Sequence, residues 1–196
     1  MTANRQGKKS RGRPPSSDAA HGRSWLADKA PVLVFGLKFA ALMVLFYAVS
    51  MTQIFDRALY AYLAANAWLS NAILNGLGQA SRVSDITIRS ARFAITVRRG
   101  CDAVEPACFF GAAVLSFPAP LARKIPGLLA GMALILTMNL LRIVSLYLIG
   151  TYAPRFFNPA HLEIWPAAFI IAAILLWIAW IKWTRRAQPP PPHGAT

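Results

Sequence analysis

The stretch RRGCDAVEP, residues 98–106, sets two arginines, a cysteine, an aspartate and a glutamate directly against a long apolar run. Asp102 and Glu105 have the spacing of a capping box, which predicts a helix starting at 102 with Cys101 just before it. There the thiol meets the positive end of the helix dipole, with Arg98 and Arg99 close in sequence. Both effects favour a thiolate, and the two carboxylates oppose them. A thiolate at a helix start on the edge of a bilayer suits a nucleophile, whereas an inert buried cysteine is the alternative that position alone leaves open.

Two further residues stand out against apolar surroundings. Arg142 lies eight residues before Gly150 within IPGLLAGMALILTMNLLRIVSLYLIG, so about 12 Å below that end at 1.5 Å per residue. Arginine inside a spanning helix costs ~2.5–3.5 kcal/mol on insertion scales, and such a residue usually faces a polar cavity and a partner. Asn139, three residues earlier, shares its face and is placed to hydrogen-bond it. A purely structural arginine paired with Asp102 or Glu105 is the alternative. His161, in FNPAHLEIWP, is the side chain type best matched to proton transfer near neutral pH, although a loop histidine is often just solvated. Glu163, two residues on, is placed to orient it or to stay an interfacial charge. A thiolate, a cation and a proton carrier are what nucleophilic acyl transfer requires. Metal binding fits worse, because Cys101 and Cys108 lie a helical distance apart and cannot readily share one site with His161. The same spacing excludes a disulfide between them. No metal or cofactor is expected.

The elements that must hold these residues are membrane helices. The 196 residues are 56 % hydrophobic and 14 % charged, with a mean hydropathy of +0.44. Apolar runs of about 18 residues or more mark spans, and a soluble domain has no use for so many. The net charge of +14 then reads as topology and contact with anionic lipids through basic tails. RGRPP at 11–15 resembles an AT-hook core, but one copy in a charged tail carries no nucleic-acid function.

Residues 1–30 read as a disordered basic tail, 31–183 as the membrane-embedded domain, and 184–196 as a Pro-rich disordered tail. Val32–Ile54 is the first span. Residues 58–78 are ambiguous between interfacial and spanning, with no clean amphipathic face. Residues 84–99 alternate β-branched residues and suggest a small hairpin. Ala103–Phe117, Ile125–Gly150 and Ile164–Trp183 complete an all-α bundle of about four transmembrane helices. Counting charges in the loops does not decide whether 58–78 crosses. Either way, residues 98–102 and 151–163 share one side. A rival function is a non-enzymatic membrane protein, such as a transporter subunit with Arg142 as an anion site. Such proteins often show matching halves with broken helices, and this chain shows none.

RRGCDAVEP, NLLRIVSLYLIG and FNPAHLEIWP, in that order, resemble the exosortase/archaeosortase family of membrane-embedded cysteine transpeptidases. GCDAVE, the short length and the basic tail look most like the exosortase H subgroup. The resemblance covers about residues 84–183. It implies an enzyme that cleaves C-terminal sorting signals of secreted proteins (motif, transmembrane helix, basic tail) at the outer face of the cytoplasmic membrane through a thioacyl intermediate. Cys101 would be the nucleophile, Arg142 the electrostatic stabiliser and His161 the acid/base, with Asn139, Arg99, Asp102 and Glu105 supporting. The paired signal would resemble an IPTL-type motif. Sorting outside the cytoplasm implies that Cys101 faces the periplasm or exterior and that 58–78 is interfacial. Asp102 and Ala103 depart from the commoner GCNG/GCSG form.

Overall fold

The computed structural model describes residues 17–186, with side chains from residue 29 onward. RGRPP and the residues beyond 186 lie outside the described residues. The chain is mostly helical. Helix α1 runs Ser17–Ser50 and α2 runs Gln53–Gly76. The break between them is held by Thr52, whose Oγ1 accepts from Phe55 N at 3.3 Å as an N-cap. Three short antiparallel strands follow: β1 (Arg82–Ser84), β2 (Thr87–Arg89) and β3 (Ala94–Thr96), in spatial order β1-β2-β3. The expected hairpin is therefore a three-stranded meander. Asp85 takes a φ of 55° at the first reversal, where a two-residue turn needs a left-handed residue.

Helix α3 (Val104–Ser116) ends because Phe117 precedes Pro118, which holds Phe117 extended. Helix α4 (Leu121–Tyr152) is the long central helix. A 3₁₀ turn at Pro154–Phe156, the single turn α5 (Phe157–Pro159) and a π stretch at Ala160–Ile164 lead into α6 (Trp165–Arg186).

Among the described residues, three helical segments are long and apolar enough to cross a bilayer: Lys29–Ser50, Leu121–Tyr152 and Pro154–Arg186. The expected fourth, α3, has 13 residues, about 20 Å against a hydrocarbon core of about 30 Å. The window in the first span is 6 % buried and that in the last 11 %, against 39 % in α4. α1 and α6 thus turn residues such as Leu37, Val44, Ile170 and Ile174 outward, a surface suited to hydrocarbon rather than water.

Helix α4 belongs to two cores. Its C-terminal half, through Ile143, Val144 and Tyr147, packs with Leu59, Leu63 and Leu74 of α2 and with Ile88 and Val97 of the sheet region. Further back, Ile135 packs with Phe110 and Val114 of α3 and with Phe169 and Trp180 of α6. Close approach needs glycine at three points on α4. A Cβ at Gly127 would meet the Trp180 ring, one at Gly131 the Phe110 ring, and one at Gly150 the Phe93 ring. Asn139 and Arg142 lie along α4 between the stretches that serve the two cores.

Candidate active site

Cys101 sits in a short loop between the sheet and α3. Its neighbours make this loop sharply bent: Gly100 has φ 89° and Ala103 φ 58°. The first suits glycine. The second is a left-handed alanine at the position where the GCNG/GCSG form carries its final glycine, a backbone state that costs a residue with a Cβ roughly 1–2 kcal/mol.

Asp102, 3 % exposed, locks the loop from inside. Its Oδ1 accepts from Val104 N (3.0 Å) and its Oδ2 from Gly100 N (3.3 Å). The expected capping box is only half formed. Asp102 caps the first turn of α3, but the helix starts at 104, Ala103 is the N-cap residue, and Glu105 is exposed rather than folded back.

Three elements converge on the sulfur. Cys101 Sγ lies 3.7 Å from His161 Nε2 and 3.8 Å from Nδ1. Arg142, 5 % exposed, sends Nη2 to within 3.8 Å of the same sulfur, while its Nη1 donates to Gly100 O at 3.3 Å. The guanidinium also stands 5.7 Å from the Phe169 ring centroid, a cation–π contact. Its Nε has no partner among the described residues, and no ion pair joins Arg142 to Asp102 or Glu105 there. The purely structural reading of Arg142 therefore lacks its carboxylate.

His161 is not a free loop residue. It lies on the π stretch, a local widening often found at functional positions, and stacks on Phe157 with centroids 5.7 Å apart. Phe157 in turn meets Phe93 at 5.7 Å. Glu163 is exposed, so the aromatic stack, rather than a carboxylate, orients the imidazole. Gly150→Ala would drive Phe93 against this stack. It is expected to cost about 1–3 kcal/mol, read by thermal unfolding in detergent, and to lower activity as well.

The other sequence candidates fall into place around this centre. Asn139, fully buried, donates Nδ2 to Asn66 Oδ1 at 3.2 Å instead of bonding Arg142. Asn66 Nδ2 donates to Tyr62 O (2.9 Å), and Tyr62 donates its hydroxyl to Asp102 O (2.7 Å). This polar ladder braces the Cys101 loop from α4 through α2. Arg99 pairs with Asp56 at 2.6 Å and stands over the Phe55 ring, which ties the loop to the start of α2 and leaves Arg142 as the cation at the sulfur. Cys108 lies within α3, and both cysteines are free thiols.

Tyr62, Asn66, Phe157 and Phe169 are the supporting residues that sequence reasoning missed. The repeat Leu59, Leu63, Asn66, Ala67, Ser70 and Leu74, all buried, is the signal that would have found Asn66: a helical stripe that mixes polar with apolar residues.

Burial pushes the Cys101 thiol above its usual pKa. Arg142 pulls it down, and the Asp102 carboxylate pushes it up again. The balance reverses the expectation from the dipole and nearby arginines: the resting group is a protonated thiol, and its thiolate fraction grows as pH rises. Asp102→Asn removes one of the raising influences, so alkylation of Cys101 by iodoacetamide should reach half its maximal rate at lower pH than in the wild type. An unchanged or higher midpoint would contradict this assignment of causes.

A cavity of about 530 Å³ opens from Gly100, Asp102 and Arg142 along α3 and α6, walled by Phe109, Phe169 and Ile174. It gives the charged centre an apolar approach. The family model of transmembrane exosortase (Exosortase_EpsH) matches residues 30–163, and so takes in Cys101, Arg142 and His161. The chain belongs to the transmembrane exosortase family. Comparisons with curated proteins and with solved structures return no match. As an exosortase with three apolar helices of spanning length among its described residues, it is a membrane protein.

Proposed function

We propose that this exosortase is a membrane-embedded cysteine transpeptidase that cleaves C-terminal sorting signals of secreted proteins, with Cys101 as nucleophile. The observation that carries the reading is the convergence of Arg142 Nη2 and both His161 ring nitrogens on one sulfur, all within 3.8 Å.

The reaction follows from the groups at hand. His161 takes the proton from Cys101 Sγ, and the thiolate forms a C–S bond to the scissile carbonyl carbon. Negative charge gathers on the carbonyl oxygen beside the Arg142 guanidinium, in a site where low dielectric strengthens the attraction. Collapse breaks the C–N bond, and the imidazolium gives its proton to the leaving amine. An incoming water or amine then attacks the thioester, its proton passing to His161 and on to the departing sulfur. A protonated resting thiol suits this order of events, because proton transfer to His161 accompanies attack. The apolar cavity beside Arg142 suits the residues flanking the scissile bond of a substrate anchored in the bilayer. GCDAVE favours the exosortase H subgroup and an IPTL-type signal, with the site facing outward from the cytoplasmic membrane.

The test is co-expression with a secreted reporter ending in such a motif, an apolar helix and a basic tail. The reporter should be shortened when the chain is present, and equally so with Cys108→Ala. A reporter left intact by the well-expressed wild-type chain would contradict the reading and favour a non-enzymatic anion site at Arg142.

A further inference from the structure

The small sheet carries a face that the candidate active site does not use. Strand alternation turns Val83, Ile88 and Ile95 toward the core shared with α2 and α4. Arg82, Ser84, Thr87, Arg89 and Thr96 fall on the opposite face. Val97 N donates to Ile86 O and carries the ladder past β3, and Val97 is buried, so Arg98 joins the outer set.

Arg82 and Arg89 are direct cross-strand partners, and like charges in that relation repel. All three arginines are exposed, and none makes a side-chain hydrogen bond or ion pair among the described residues. Arg99, one residue beyond Arg98, does have a carboxylate partner. Among the described residues nothing relieves the repulsion on the sheet, which leaves that role to an outside partner. The three arginines line one cavity of about 680 Å³ with Thr87, Thr96 and Asp85, and the two threonine hydroxyls bond each other at 3.0 Å.

The position of the sheet says what that partner is. Phe93, between β2 and β3, packs over Gly150, and Tyr152 donates its hydroxyl to Gln79 Oε1 at 3.1 Å. Both contacts fall at the end of the α4 span, which ends at Tyr152. For a chain embedded in a bilayer, that is the depth of the lipid headgroups. Guanidinium forks match phosphate oxygens in pairs, and a surface rich in anionic lipid attracts such a cluster.

We propose that the face formed by Arg82, Arg89 and Arg98 binds the phosphate headgroups of anionic lipids, seating the sheet on the membrane beside the Cys101 loop. This assignment is independent of the chemistry at Cys101. The experiment is hydrogen–deuterium exchange of the full chain in nanodiscs, read over the amides of residues 82–98 so that basic residues elsewhere do not contribute. Phosphatidylglycerol discs should slow exchange there relative to phosphatidylcholine discs. The Arg82→Gln, Arg89→Gln, Arg98→Gln triple variant should lose that difference while matching the wild type in phosphatidylcholine, and Arg155→Gln should keep it. If the triple variant exchanges faster in phosphatidylcholine, the Arg82→Gln, Arg89→Gln pair replaces it with the same expectation. Slowing that survives these substitutions overturns the assignment. So does equal slowing by inorganic phosphate in phosphatidylcholine discs, which would make a free anion the ligand.

Discussion

Cys101→Ala is expected to abolish shortening of the reporter while leaving the chain folded and inserted. In the proposed reaction the sulfur is the atom that bonds to the substrate, and neither His161 nor Arg142 would supply a substitute nucleophile at that position. Little stability depends on it. Cys101 belongs to neither hydrophobic core, and the loop is held by Asp102 through Val104 N and Gly100 N and by Tyr62 through Asp102 O. A change within about 1 kcal/mol is expected for a half-buried residue of this kind, read as an unfolding temperature in detergent close to the wild type. Shortening that survives the substitution would remove the nucleophile from the account.

Arg142→Gln is expected to slow processing by about 10²–10³-fold, the usual effect of removing one preorganised donor from a developing oxyanion. Two features make the expectation specific to this arginine. Its guanidinium reaches both Gly100 O and the sulfur, so it positions the loop and places charge at the proposed nucleophile at once. It also lowers the Cys101 pKa against the effect of burial, so its loss should move alkylation of Cys101 to higher pH, the reverse of Asp102→Asn. Arg142→Lys keeps the charge but loses the planar fork, and should recover only part of the rate. The neutral variant should still fold, since removing a charge from a span relieves ~2.5–3.5 kcal/mol of insertion cost. Unaltered processing with an unaltered alkylation profile would reduce Arg142 to a packing role.

Cys101, Arg142 and His161 were legible because each is a rare side chain type against an apolar background, where composition makes a polar residue conspicuous. Their supports were less so. Asp56 lies far from Arg99 in sequence, and no local spacing announces their pairing. Asn66 and Ser70 looked scattered because the buried stripe of α2 sets polar residues among its leucines. Tyr62 acts through a contact with Asp102, distant in sequence, that periodicity does not encode. The first strand escaped notice because Arg-Val-Ser has only one apolar position, so its register is set by Ile88 and the Asp85 turn rather than by its own pattern. The prolines at 118 and 120 did mark the end of α3, and with it the shortness that leaves three helices of spanning length among the described residues.

In the proposed reaction Cys101 becomes covalently bound to the carbonyl of the cleaved substrate. Acid quenching of the wild-type chain during turnover of the reporter, followed by proteolysis and mass spectrometry, reads this directly. The expected result is a hydroxylamine-labile thioester joining the Cys101 peptide to the new C-terminus of the reporter, and none on Cys108. Continued shortening of the reporter with Cys101 recovered only as the free thiol, at quench times shorter than one turnover, would contradict it.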